Sequence, residues 1–412
     1  MVIILNFHNE YFATGRVVVA INRDCIIPAS VDNPIFNGIE AEKVEVIFQS
    51  ASASNNSNVS VLLLVYIKCQ EYLSVINTVE KLSTHPCVVF VRPDYLLYPH
   101  RIPNDSLYNQ LWGMEKIKAP VAWDYSTGSS QVVVGVLDSG VNFEHPDLKD
   151  NMWHAPPGEG LHGRDFFNNS DSPMDETGHG THVAGTIGAV GNNLIGVTGV
   201  SWKVSIAAMK IGDQIFTASA AIRAFDYANR NNIPILNCSW GTRSYCPCQR
   251  FAISNYNGLV IASAGNDGSD NDHFPLFPAS YENENIISVA SVGVSGELSL
   301  FSNYGASDVD IAAPGCGILS TSVYGEYSYM DGTSMAAPHV AGAAALLKAY
   351  RPNLSTIEMK KIIFSSVDKQ PQFSGKIMTR GTLNISKMLE MANAAPASRD
   401  LGIHRKSRVV SY

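Results

Sequence analysis

The 412-residue sequence lacks a strongly basic domain: its formal net charge is -8, from 29 Lys and Arg against 37 Asp and Glu. That balance argues against nucleic acid as a partner. The one basic cluster, Arg399 to Arg408, reads as a solvated end. No apolar run reaches about 18 residues, so no segment is read as spanning a membrane. Met1-Val2-Ile3-Ile4-Leu5-Asn6-Phe7 has neither a basic flank nor a small-residue cleavage site and is not read as a signal peptide. The seven cysteines (Cys25, Cys69, Cys87, Cys238, Cys246, Cys248 and Cys316) are odd in number, so full pairing within the chain is excluded and no disulfide framework can be deduced. Cys246-Pro247-Cys248 lacks the two-residue spacing of a zinc knuckle and has no second pair, which argues against a metal there. The composition that remains, 45% apolar and 16% charged, is that of a globular enzyme of two or three domains.

Residues 16–21, 44–48, 59–67 and 87–92 read as strands from their β-branched content, with a helix pattern over 71–83. This order predicts a small ferredoxin-like α+β unit over residues 1–100. Ser50 to Asn58 is a polar low-complexity loop, and Tyr98 to Asp105, with two prolines, reads as a linker. Beyond it, Gln131 to Asp138 is a near-continuous apolar strand of the kind covered on both faces in a parallel sheet. Ser205 to Lys210, Ile233 to Cys238, Gly258 to Ser263 and Ile286 to Val292 are further strands. Ala218 to Asn231 carries Ala221, Ile222, Phe225 and Ala228 at helical spacing. The alternation predicts an α/β domain over 101–395, a doubly wound and mostly parallel sheet with sites at the carboxyl ends of its strands, then a tail over 396–412.

Four stretches in the second domain carry chemistry. In Asp331-Gly332-Thr333-Ser334-Met335-Ala336-Ala337-Pro338 small residues lead to a hydroxyl at which an alanine-rich helix pattern begins. Pro338 is expected in that helix's first turn, where a backbone N–H is not needed. Free N–H groups and the helix dipole there favour a developing negative charge, as an acyl-transfer nucleophile requires. Asp138-Ser139-Gly140 puts a carboxylate at a strand's carboxyl end; an Asp capping a turn is the competing reading. Gly178-His179-Gly180-Thr181-His182 offers a histidine between glycines that permit close backbone approach. His179 and His182 lack metal-ligand spacing, and His182 reads as a packing histidine. Ala264-Gly265-Asn266 follows a strand and supplies an amide donor, or a turn residue if it stood alone. Ser334 needs a base, His179 titrates near neutrality, and Asp138 would orient and stabilise the imidazolium.

Taken together, Asp138-Ser139-Gly140, His179-Gly180-Thr181-His182-Val183-Ala184-Gly185, Ser263-Ala264-Gly265-Asn266 and Gly332-Thr333-Ser334-Met335-Ala336 resemble the subtilisin-like serine proteases, over about residues 103–393. Gly381-Thr382-Leu383-Asn384 looks like that family's final turn. The resemblance implies a serine endopeptidase with Asp138, His179 and Ser334 as its triad and Asn266 as an oxyanion donor beside the Ser334 N–H. It implies an extended peptide substrate added as a strand along Ser239, Trp240 and Gly241, with Ala264 and Gly265 as further substrate-binding residues, and hence broad specificity. Asp213-Gln214-Ile215-Phe216 stands where the family has a glycine- and serine-rich loop, so no contacts are assigned there.

Gly191-Asn192-Asn193-Leu194-Ile195-Gly196-Val197 resembles the family's calcium loop. The implied ligands are the Asn193 side chain, the Gly191, Ile195 and Val197 carbonyls and Asp147, with Asp105 or Gln110 completing the shell. No organic cofactor is expected. The first hundred residues resemble the family's inhibitory propeptide through Val88 to Tyr95, which implies a zymogen whose own leader is an inhibitory partner. His100–Arg101 is then the nearest acceptable bond for self-cutting after Tyr98-Pro99, with Leu97 four residues before the cut. The family favours a secreted monomer acting on polypeptides. A catalytically silent peptide-binding module on the same fold is the alternative, though no triad lesion is visible. An α/β-hydrolase esterase is contradicted by the absence of Gly-x-Ser-x-Gly and by the Asp, His, Ser order.

Overall fold

The computed structural model describes residues 6–7, 10–25, 28–49, 59–68, 72–95 and 101–394. The chain divides into two compact units, Met1–Pro99 and His100–Tyr412. In the first, strands Glu10–Asn22, Ala41–Gln49, Val59–Ile67 and Val88–Tyr95 form an antiparallel sheet in which the first strand lies between the last and the third, and the third pairs with the second. That is the ferredoxin-like order. Its core includes Val17, Val19, Ile21, Leu63, Val65 and Val91 from the strands and Val75, Val79 and Leu82 from the helix Tyr72–Ser83. The expected second helical element is only the short 3₁₀ turn Pro34–Phe36. A disulfide joins Cys25 to Cys87 across 62 residues, a pairing that spacing alone does not reveal. Cys69, the Ser50–Asn58 loop, linker residues 98–100 with the His100 side of the expected cut, and the basic tail lie outside the described residues. The linker is shorter than expected. Pro103 and Asp105 are buried, and the Asn104 side chain accepts the Leu194 N–H at 3.0 Å, so these residues belong to the second unit.

The second unit is built on a nine-stranded sheet with Gly128–Asp138 near one end, between Lys203–Lys210 and Ile235–Cys238. Leu259–Ser263, Ile286–Val292 and Ile311–Pro314 continue it, all in parallel. Ile235–Cys238, Leu259–Ser263 and Ile286–Val292 are buried at every residue, as apolar strands covered on both faces must be. On one face lies the helix Thr333–Tyr350; on the other, Ala218–Arg230 contributes Ala220, Ala221, Ala224, Phe225 and Ala228 to a second core. From Thr333 to Leu347 every residue of the first helix is buried except Ser334. The short strands Gly163–Asp165, Asp368–Lys369 and Gly381–Thr382 fill out the edges, and Ile318–Thr321 and Tyr327–Met330 form a separate hairpin. At two to four residues, these are too short to show a period.

Candidate active site

Asp138 ends its strand with a fully buried side chain, whereas the His179 side chain is 34% exposed. Asp138 Oδ1 accepts the Ser139 N–H at 2.8 Å and lies 2.7 Å from His179 Nδ1. The imidazole therefore has one nitrogen on the acid and Nε2 left for other work. Burial pulls the His179 pKa down, but the charge and hydrogen bond of Asp138, with the Asp175 charge behind them, outweigh burial and leave it above the ordinary value. The neighbouring histidines differ. His182 Nε2 lies on the Ile318 and Ser328 carbonyls at 2.9 and 3.0 Å, and burial pushes its pKa down to about 4. His339 is likewise pushed down to about 4 by burial, which makes both neutral packing groups.

The close pairing of strand end and helix start depends on Asp175, a residue that sequence reasoning misses. His179–Gly188 begins behind Gly178, whose φ of 95° and missing side chain leave the first-turn N–H groups without a cap. Asp175 supplies the acceptors instead: it takes the N–H groups of Thr177, Gly178 and Thr181 at 2.9–3.0 Å, and the hydroxyls of Thr177, Thr181 and Ser139 at 2.6–3.1 Å. Ser139 Oγ in turn accepts the Gly180 N–H at 3.0 Å. A Cβ on Gly180 would lie 2.1 Å from the Gly140 carbonyl oxygen, so only glycine permits the two segments to come this near. The available signal is an acid just ahead of a helix start that offers no capping side chain.

Ser334 enters from the opposite helix. Its hydroxyl donates to the Ser239 carbonyl at 3.1 Å, and Ser239 follows the strand Ile235–Cys238. That strand pairs with the Asp138 strand, Val136 opposite Asn237, and the same register brings Asp138 level with Ser239. Asp138 and Ser239, which accepts the Ser334 hydroxyl, thus stand at the carboxyl ends of adjacent strands, and such strands run about 4.8 Å apart. The expected position of Pro338 is corrected here: it lies inside the helix, not in its first turn. Having no N–H, it leaves the Ser334 carbonyl four residues earlier without its helical donor. The Ser239 hydroxyl fills that place at 2.8 Å and is itself held by Asn237 Nδ2 at 2.9 Å.

Asn266 is exposed, but its amide is fixed, because Oδ1 accepts both the N–H and the hydroxyl of Thr333 at 2.9 Å. Nδ2 then turns to the other side. A Cβ on Gly332 would lie 3.5 Å from both Asn266 Nδ2 and the Ser334 nitrogen, so two donors converge on space that glycine leaves open. Gly332 holds φ 153°, and the Ser334 N–H is in the first turn, where no intrahelical acceptor exists.

Beside Ser239, Trp240 is pinned by its indole N–H to the Leu137 carbonyl at 2.9 Å, while Gly241 is exposed. Ala264 and Gly265 are buried in the neighbouring segment, with the Gly265 N–H donated to Thr333 Oγ1 at 3.1 Å. Asp213 to Phe216 forms a tight turn closed by a Gly212–Phe216 bridge, and Asp213 pairs with the buried Lys210 at 2.6 Å.

At a distance from these groups, Asp147 is fully buried and accepts from Asn193 Nδ2 at 2.8 Å, the Val197 N–H at 2.9 Å and Tyr327 at 3.2 Å. Asp105, also buried, accepts the Asn192 N–H at 2.7 Å. Burial pushes Asp147 up to about 6 and raises Asp105, and no basic side chain pairs with either among the described residues. Gln110 instead accepts from Tyr329 at 2.7 Å. Among the described residues no cluster of three or more His, Cys, Asp or Glu side chains forms a metal site. A cation at the Gly191–Val197 loop would therefore lean on amide and carbonyl oxygens as well as these two carboxylates.

Comparison with known proteins agrees with this architecture. The profile described as the subtilase family matches residues 129–384. A thermophilic serine proteinase of Bacillus sp. (strain AK1) is 38% identical over 297 residues, 71% of this chain and 70% of its own. Thermitase of Thermoactinomyces vulgaris is 36% identical over 294 residues, 70% of this chain and 99% of its own. Among solved structures, one titled as proteases from Pseudoalteromonas arctica PAMC 21717 superposes with a TM-score of 0.62 at 30% identity, covering 71% of this chain and all of that one. With the matched residues spanning the Asp138 strand, the His179 helix and the Ser334 helix, the chain belongs to the subtilase family and is a serine-type endopeptidase.

Proposed function

We propose that the enzyme cuts extended polypeptides through an acyl-enzyme on Ser334, with His179 as base and Asp138 as its orienting partner. The observation that carries this reading is the 2.7 Å approach of His179 to a fully buried Asp138, on the sheet edge where the one accessible residue of the Thr333–Leu347 stretch is a serine. The Ser334 hydroxyl first turns from the Ser239 carbonyl to His179 Nε2, a rotation between staggered wells. His179 takes its proton as Oγ attacks the carbonyl carbon; Asn266 Nδ2 and the Ser334 N–H stabilise the oxyanion. The imidazolium then protonates the leaving amine, and water repeats the sequence to release the acyl group. Substrate backbone pairs with Ser239 to Gly241, which offers main-chain groups rather than a sequence-specific surface.

The same reading includes a structural calcium ion. Asp147, Asp105, the Asn193 side chain and the Gly191, Ile195 and Val197 carbonyls would hold it, and two buried carboxylates with no basic partner among the described residues fit a hard cation. The ion would supply charge balance and no chemistry. The N-terminal unit acts as an inhibitor removed by self-cutting in the linker. Its Cys25–Cys87 bond suits an oxidising compartment, consistent with export. The test is kinetic: Ser334→Ala, His179→Ala and the double variant should lose peptidase activity to a similar degree, because a triad acts as a unit. Additive losses would contradict it.

A further inference from the structure

The proposed reaction requires a place for the side chain of the acyl residue, the one whose carbonyl is attacked, and the role of Leu276 argued below rests on that reading. Ser334 Oγ is held on the Ser239 carbonyl and Asn266 lies across from it, so the acyl residue comes between the Ser239–Gly241 segment and the Ala264–Asn266 segment. Each segment contains a glycine. A Cβ on Gly241 and a Cβ on Gly265 would each lie 2.7 Å from the same atom, Cδ2 of Leu276. One methyl group therefore touches both walls. The gap between them is already filled from below by a leucine.

Leu276 has little freedom to withdraw. It is 9% exposed, its N–H donates to Ser280 Oγ at 3.2 Å, and the next residue, Phe277, exchanges two 2.8 Å backbone hydrogen bonds with Thr242. Those bonds tie the Leu276 segment to the end of the Gly241 wall. Past both walls, Arg243 pairs with Asp267 at 2.6 Å, linking the residues that follow the two segments. We infer that Leu276 is a specificity-determining residue that makes this pocket shallow, so that the enzyme cuts after glycine, alanine or serine and rejects aromatic acyl residues.

The energetic reason is steric overlap. A well-packed side chain cannot make room for a ring without moving the Gly241 and Gly265 walls, and even one methylene in such a pocket changes selectivity about 10- to 200-fold. The same pocket disfavours His100 at the acyl position, so the linker bond actually cut reports on it independently.

The experiment measures kcat/KM for internally quenched peptides that differ only in the acyl residue, Ala or Phe, on wild-type full-length chain and on Leu276→Ala and Leu276→Val. Active sites are counted by fluorophosphonate labelling. The wild type should favour Ala by at least about tenfold, and the ratio should fall at least about tenfold in Leu276→Ala and by less in Leu276→Val. A wild type that cuts after Phe as well as after Ala overturns the inference without needing either variant, and so does an unchanged ratio in folded Leu276→Ala. A chain that labels at Ser334 yet cuts neither peptide overturns the peptidase reading instead.

Discussion

Ser239 and Ser334 exchange hydrogen bonds: the Ser334 hydroxyl donates to the Ser239 carbonyl at 3.1 Å, and the Ser239 hydroxyl donates to the Ser334 carbonyl at 2.8 Å. The second bond exists because Pro338 cannot donate to that carbonyl. The start of the Thr333–Tyr350 helix and the end of the Ile235–Cys238 strand are thereby locked together at the proposed point of attack. Ser239→Ala should leave a buried acceptor unmet and lower stability by about 1–3 kcal/mol, read by denaturant unfolding of the inactive Ser334→Ala form. Combining it with Pro338→Ala, which restores the helical donor, should recover part of that loss. No recovery would argue against the link between the proline and Ser239.

Protonation sets a second expectation. His179 has a pKa above the ordinary 6.5, with the Asp138 charge and hydrogen bond overcoming burial. With the neutral ring as the proposed base, the acid limb of kcat/KM should lie on the alkaline side of 6.5. The sign for stability is the reverse: the raised pKa contributes fully below 6.5 and is lost as pH rises through the folded value. Replacing Asp138 with Asn leaves desolvation opposed only by the Asp175 charge. NMR titration of His179 in Ser334→Ala should therefore show its pKa dropping when Asp138→Asn is added; a rise would contradict the assignment.

Asp175 is buried and holds Ser139 and the first turn of the His179 helix. Asp175→Asn keeps the shape but loses acceptors, and we expect kcat to fall by up to about 100-fold with KM little changed. Loss of its charge should also move the acid limb to lower pH. A purely structural role would reduce the number of active sites and leave both the limb and kcat per site where they were.

Asn266→Ala should lower kcat by about 100- to 1,000-fold, a magnitude taken from subtilisin itself, with KM nearly constant. A defect mainly in KM would count against Asn266 as an oxyanion donor.

For calcium, chelator should lower the melting temperature of Ser334→Ala, where self-digestion cannot interfere, and Asp147→Ala should blunt that response. An ion at a hundredfold excess over Kd stabilises by about 2.7 kcal/mol. Unchanged melting on chelation would remove the ion from the account.

Local chemistry explains what the sequence discloses. The long strands announce themselves through uninterrupted Val, Ile and Leu, and Asp138, His179 and Ser334 through small neighbours and chain order. Contacts across long separations are not legible: the Cys25–Cys87 bond, the choice of Asp105 over Gln110 at the Asn192–Asn193 loop, and Leu276 between two glycines. Pro338 is misplaced by sequence because a proline in a helix reads as a first-turn residue unless the lone carbonyl it creates is seen to have another donor. Asp175 reads as a loop acid until the uncapped helix it serves is in view.

The central claim is that Ser334 is the nucleophile activated by His179. Intact-mass analysis after treatment with a fluorophosphonate tests it most directly. We predict one adduct per chain, located to the peptide containing Ser334, absent in Ser334→Ala and slowed strongly in His179→Ala, with loss of peptidase activity in proportion to labelling. An adduct that persists in Ser334→Ala, or full peptidase activity in the labelled enzyme, would contradict the account.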